Sequence, residues 1–369
     1  MSSVRSDKPQ ALALLSWRNW GILRYNSIWQ NLAGLFYLAL SQRLFSLSFI
    51  GRVGSFVLFS TIMTGYGYLI NDLADQELDR RHGKSNAFQN VNRGKAALIV
   101  AATWLVGSLF GLPFLSRPWF ALLWLLWTLA ATFYSLPPLR LKERGAIGLA
   151  TTVAAQQTLP TALLFAAFGQ PLSWGALVFV LFATARGLSS DVGHQMRDWV
   201  HDTTTATGTF AVRHGYRAVQ RVYAASLEIE RLALGGVMAL LLLKLPTATL
   251  PLAGWQVAPA WPPLLLYLPL LALTVGRSWR ALRQGHLAAH DPYDEARQAR
   301  VRDALHVIHH PLPSVLTPLY LAGWMTLLYW PNVVFLLILS LLYGLYSPRR
   351  WAAAWPIRPL LAWLQSVRA

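Results

Sequence analysis

The chain has 369 residues, of which 55% are hydrophobic and only 13% charged, against roughly 25% charged in an ordinary soluble domain. That deficit makes lipid the main solvent and excludes a soluble domain. Cysteine is absent, which excludes disulfides, thiolate catalysis and Cys-based metal sites.

The first 30 residues lack a continuous apolar core ending in a small-residue site, so no cleavable signal peptide is expected. Residues 11–30, with Trp17, Trp20 and Trp29 among Arg18 and Arg24, read as an interfacial helix. Apolar runs that can cross the hydrocarbon core, which takes about 20 helical residues, follow at approximately 31–50, 54–72, 96–115, 118–136, 146–167, 172–190, 220–243, 262–280 and 314–346. The last is too long for one span, and Trp330-Pro331-Asn332 is where it would divide, giving nine or ten helices. These runs are apolar on every side, whereas a barrel needs alternation, so the expected fold is an all-α polytopic transmembrane bundle. The polar stretch 281–311 reads as a helical connection and 347–369 as a basic tail, leaving 31–346 as a single transmembrane domain.

The formal charge of +17 is explained by its distribution and calls for no nucleic acid. Lys and Arg crowd the N-terminal segment and every second loop after it: Arg80 to Lys95, Arg140 to Arg144, Arg197 to Arg221, and Arg277 to Arg302. The opposite loops hold little beyond Arg52, Arg117 and Lys244. This asymmetry predicts a cytoplasmic N-terminus and cytoplasmic basic loops.

Seven of the 15 acidic residues fall in two short segments on that same side. Asp72, Asp75, Glu77 and Asp79 close the second span, and Asp191, Asp198 and Asp202 close the sixth. Residues four apart share a helix face, so Asn71, Asp75 and Asp79 form one oxygen ladder, with Asp72 on the adjoining face. Asp191, Gln195, Asp198 and Asp202 form a second. Stacked carboxylates repel one another in a low-dielectric site until a cation neutralises them. All-oxygen ligands suit Mg²⁺, which keeps waters and is completed by substrate phosphates. Arg81, Lys84 and Lys142 in the adjacent basic loops are candidate diphosphate ligands.

The segment Asn71-Asp72-x-x-Asp75-x-x-x-Asp79 has the form of the first motif of the UbiA superfamily of intramembrane prenyltransferases. Asp198-Trp199-Val200-His201-Asp202, followed by Thr209 and residues 213–215, resembles the second motif, and the stretch from Tyr134-Ser135 through Lys142 to Gly145 resembles the loop after the fourth helix. The likeness runs over about 20–345. It implies a mostly antiparallel bundle around a central cavity capped by the acidic motifs. It also implies Mg²⁺ held by Asn71, Asp75, Asp79, Asp198 and Asp202, an isoprenyl diphosphate donor, a lipophilic acceptor, and Tyr134 and Lys142 beside the reacting end.

The chain departs from the family pattern in three places: Lys84-Ser85-Asn86-Ala87-Phe88 lacks the usual prolines after the first motif, and Ala206 stands where glycine is usual. Gly193-His194-Gln195 replaces the more usual apolar lead-in to the second motif. His194 and His201 lie off the ladder face and read as interfacial polar residues; His309 and His310 read as loop residues.

Phosphoribosyl transfer onto a polyprenyl phosphate and intramembrane terpene cyclisation use the same metal–diphosphate logic. A cation transporter would place its carboxylates near the midplane on broken helices, and a non-catalytic subunit would have little cause to retain both ladders.

Overall fold

The computed structural model describes residues 31–205, 207–249, 256–257, 259–283 and 304–344. The interfacial segment 1–30, the tail 347–369, most of the connection within 281–311 and Ala206 lie outside the described residues. The described chain is all-α apart from one two-residue antiparallel pairing, Ala248–Thr249 with Gln256–Val257. Four of the described helices are long and apolar enough to cross a bilayer.

The expected span 31–50 is not one helix. Helix α1 (Leu32–Ser41) stops at Gln42-Arg43, where Arg43 takes a positive φ of 51°, and Ser46 caps the next helix by accepting from the Phe49 N–H at 3.1 Å. Two polar residues and a capping serine thus cut an otherwise apolar run. Helix α2 (Leu47–Arg81) then continues unbroken for 35 residues, about 50 Å at 1.5 Å per residue. Hydrocarbon takes up about 30 Å, so α2 carries its acidic end well beyond its apolar middle. Arg80 and Arg81 in its last turn suit the negative end of the helix dipole, and Gly83, at φ 65°, turns the chain out.

Helix α3 (Arg93–Gly111) packs back along α2 through small residues. α4 (Pro118–Ser135) follows, and then α5 (Ala146–Val153), which runs through a π turn (Ala154–Thr158) into α6 (Leu159–Ala167). The second acidic segment ends α7 (Trp174–Arg197) and fills the short α8 (Trp199–Thr204). After α9 (Phe210–His214) come α10 (Tyr216–Lys244), α11 (Trp261–Arg283), α12 (Ala304–His309), α13 (Thr317–Leu328) and α14 (Val333–Tyr343). The break between α13 and α14 falls at Trp330–Asn332, where the sequence predicts it. His309 is not a loop residue, however: it ends α12 and is 1% exposed, while His310 lies in the turn that follows.

At the end of the bundle away from the acids, Phe56, Phe59, Phe114, Phe120 and Phe168 pack ring to ring with centroids 5.4–6.1 Å apart. At the acidic end the loop after α4 is held against α5 at Gly148, where a Cβ would stand 2.6 Å from the Leu141 carbonyl oxygen and 3.0 Å from that of Lys142. Backbone cannot yield as a side-chain tip can. Gly148→Ala should therefore cost about 1–3 kcal/mol and lower the melting temperature in detergent–lipid micelles; unchanged melting would mean the loop is not held there.

Candidate active site

The ends of α2 and α7 meet across two adjoining cavities. The smaller, about 220 Å³, is lined by Asp75, Asp79, Lys84, Arg140, Lys142, Asp198 and Asp202, among others. The larger, about 500 Å³, runs inward past Asn71, Tyr134 and Asp191 to Trp127, Ala131 and Ala155. Lys84, Tyr134, Lys142, His194, Gln195 and Asp198 line both. Seven polar residues quoted from the motifs (Asp75, Asp79, Lys84, Tyr134, Lys142, Asp198 and Asp202) thus surround one opening, and Asn71 and Asp191 face the space beneath it.

Asp75 is the most heavily neutralised acid of the group. Lys142 Nζ contacts one of its oxygens and lies 3.2 Å from Asn71 Oδ1, while Arg140 Nη2 lies 3.1 Å from the other oxygen. Burial lowers the Lys142 pKa below the usual lysine value, and the Asp75 charge opposes that shift. Ser135 Oγ donates to Asn71 Oδ1 at 2.8 Å. Across the opening, burial raises the Asp202 pKa; the Thr209 hydroxyl counters this and the Asp198 charge adds to it. His194 Nε2 lies 3.5 Å from Asp198 Oδ2. Thr152 accepts from Gln156 Nε2 at 2.9 Å and lies beside Tyr134 and Asp191, and Asp191 Oδ2 is buried without a hydrogen-bond partner.

Two expected ligands point elsewhere. Asp72 is 3% exposed, and its Oδ2 accepts from the Ala87 N–H at 3.2 Å, so it braces the loop after α2 and lines neither cavity. Arg81 is 72% exposed and bound to Glu77 at 3.0 Å. The second ladder is also less regular than its spacing implies. α7 ends at Arg197, Asp198 caps it, and the Gln195 amide oxygen accepts from the Ala211 N–H at 3.1 Å.

The loop that lacks the family's prolines is held by side chains instead. Asn86 Nδ2 donates to the Asp72 carbonyl at 2.8 Å and to Asp79 Oδ2 at 2.7 Å, while Gln76 Nε2 holds the Phe88 and Val91 carbonyls. The loops after α4 and α8 are joined to each other. The Gly145 N–H donates to the Gly208 carbonyl at 3.1 Å, and Arg213 donates to the Glu143 and Gly208 carbonyls. Asn86, Arg140 and Arg213 hold these loops without belonging to either acidic ladder; the only signals of them in the sequence are a lone amide in place of the prolines and basic residues flanking the motifs.

The carboxylate and amide oxygens at the site are hard donors that suit Mg²⁺, the orphaned Asp191 oxygen among them; His82, His194 and His201 also line the smaller cavity. Among the described residues no three carboxylate or imidazole groups converge closely enough to enclose an ion by themselves.

The model of the UbiA prenyltransferase family matches residues 28–293. The chain belongs to the UbiA prenyltransferase family. It is accordingly a membrane-integral protein, and no curated protein sequence matches it. Among solved structures it is similar to a digeranylgeranylglyceryl phosphate synthase, with a TM-score of 0.52 and 13% identity over 86% of this chain and 98% of that one. That likeness shows the UbiA fold. A UbiA homologue from Archaeoglobus fulgidus also matches: bound to DMAPP and Mg²⁺, at TM-score 0.49 and 15% identity, and bound to GPP and Mg²⁺, at 0.48 and 16%. Each covers 83% of this chain and 98% of that one.

Asn86→Ala removes three hydrogen bonds, the two its amide donates and the one it accepts from the Phe88 N–H at 2.8 Å, about 2–4 kcal/mol in all. Hydrogen–deuterium exchange over 84–91 should accelerate while that of α3 stays unchanged; equal protection in both proteins would show that Asn86 does not hold the loop.

Proposed function

We propose that the protein transfers an isoprenyl group from an isoprenyl diphosphate to a lipophilic acceptor within the membrane, with Mg²⁺ as cofactor. The observation that carries this reading is the meeting of the two acidic segments, from α2 and from α7–α8, around one cavity rimmed by Lys84, Arg140 and Lys142. Asp75, Asp79, Asp198 and Asp202, with Asn71 and Asp191 beneath, would hold the metal. Bound there, Mg²⁺ neutralises charge developing on the departing diphosphate.

The rest of the chemistry falls to the chain. Lys142 and Lys84 bind diphosphate oxygens, and Arg140 keeps Asp75 oriented. Tyr134, which lines both cavities, stands where the donor's carbon–oxygen bond would break. The electron pair leaves with diphosphate, and the allylic cation is attacked by the acceptor, which gives up a proton. The Trp127, Ala131 and Ala155 wall shields that cation from water. By the asymmetry of its basic loops the site and the N-terminus face the cytoplasm. Residues 31–346 act as one catalytic domain, flanked by an interfacial N-terminal segment and a basic tail.

The test is diphosphate release by the purified protein with Mg²⁺ and donors from geranyl to geranylgeranyl diphosphate, with and without membrane lipid extract. Release should need Mg²⁺, rise with extract, and fall by about 10²-fold or more in Asp75→Ala and Asp198→Ala. A folded protein that releases diphosphate from no donor would overturn the reading and direct the assay to phosphoribosyl diphosphate with polyprenyl phosphate.

A further inference from the structure

A second polar cluster lies inside the bundle, away from both cavities. Glu230 on α10 and His309 at the end of α12 are each 1% exposed, Ser189 on α7 is fully buried, and Arg186, one turn earlier, is 3% exposed. His309 Nδ1 stands 3.0 Å from Glu230 Oε2. The Ser189 hydroxyl donates to that same oxygen, and Arg186 lies near enough for its charge to act on the carboxylate. Three helices therefore converge on one carboxylate.

Burying an ionisable group within a membrane span costs about 2.5–3.5 kcal/mol at the centre of the span on insertion scales, and an apolar residue would pack there without such a cost. The placement of Ser189 supplies a reason to retain them. Successive helical residues turn by about 100°, so Ser189 and Asp191, two positions apart, stand on opposite sides of α7. One side meets Glu230. The other carries Gly187, which packs on Val153 and Gln157, and Asp191, which opens on the larger cavity.

We propose that Glu230, with Ser189, Arg186 and His309, is a positioning lock that fixes the rotation and height of α7 against α10 and α12, and so holds Asp191 and Asp198 in register with Asp75 and Asp79. The proposal rests on the reading of the acidic cavity as a Mg²⁺–diphosphate site. Such a site tolerates about 0.5 Å of displacement. A side chain ~6 Å from the helix axis moves that far when the helix turns by only about 5°. None of the four lock residues lines either cavity, so their effect on the site is exerted through α7 alone.

The experiment uses the full chain in lipid nanodiscs and follows two readouts: the melting temperature, and the Mg²⁺ concentration at half-maximal binding of inorganic diphosphate by calorimetry. Glu230→Gln keeps the shape but removes the charge on which the Ser189 hydroxyl and the His309 ring converge. It should fold and raise the Mg²⁺ midpoint about 10-fold, as the loss of a group that orients metal ligands does. The double variant Arg186→Met/Glu230→Gln relieves any charge imbalance without restoring the carboxylate, and should keep the raised midpoint; full recovery would overturn the lock. Should the single variant fail to fold, Ser189→Ala takes its place and must also raise the midpoint. Variants that melt lower with an unchanged midpoint would overturn the lock, reducing the cluster to packing. An Asp198→Ala control that binds normally would overturn the acidic-cavity reading and this proposal together.

Discussion

Carboxylates gathered at one end of a lipid-embedded bundle repel one another, and that repulsion grows as water is excluded. The arrangement around Asp75 is the structural answer. Lys142 and Arg140 both reach it from a single loop, and burial holds the Lys142 pKa below its ordinary value. That loop can come close only because Gly148 leaves room for its carbonyls on α5. Arg213 and the Gly145–Gly208 hydrogen bond then tie it to the loop after α8. The two acidic segments are therefore joined through backbone contacts as well as across the cavity.

The helices set how far that end projects. α2 spans more residues than the bilayer requires, so its apolar stretch buries Phe56 and Phe59 while its last turns carry Asp75 and Asp79 beyond the apolar middle. α7 performs a comparable division around its circumference, with Asp191 towards the cavity and Ser189 towards Glu230. Between the acids and the aromatic cluster lies the larger cavity. Asn71, Asp191 and Asp198 of the two acidic segments line it with Lys142, and Trp127, Ala131 and Ala155 line it together with Thr152, Gln156 and Gln157.

Much of this could be read from the sequence. Fold class followed from the length and all-round apolarity of the runs, and the acidic ends of α2 and α7 from the four-residue spacing of oxygen side chains. Lys142 stood in a basic loop on the same side. What escaped reading has identifiable physical causes. The interruption at Gln42-Arg43 sits inside an apolar run, so hydropathy passes over it, although Ser46 as a helix cap was available as a signal. Asp72 shares its neighbours' chemistry, and only the fold of the loop shows that its carboxylate is spent on the Ala87 N–H. Glu230 and His309 are far apart in sequence, and no local spacing announces their meeting.

The central claim is that both acidic segments serve one metal–diphosphate site. The most direct measurement replaces Mg²⁺ by Mn²⁺ and uses pulsed electron paramagnetic resonance to detect ³¹P coupling from bound inorganic diphosphate, in the unaltered protein and in Asp75→Asn and Asp198→Asn. The account predicts ³¹P-coupled Mn²⁺ in the unaltered protein and its loss in each variant alone. Undiminished coupling in either variant, in folded protein, would show that one segment stands apart from the site and would contradict the account.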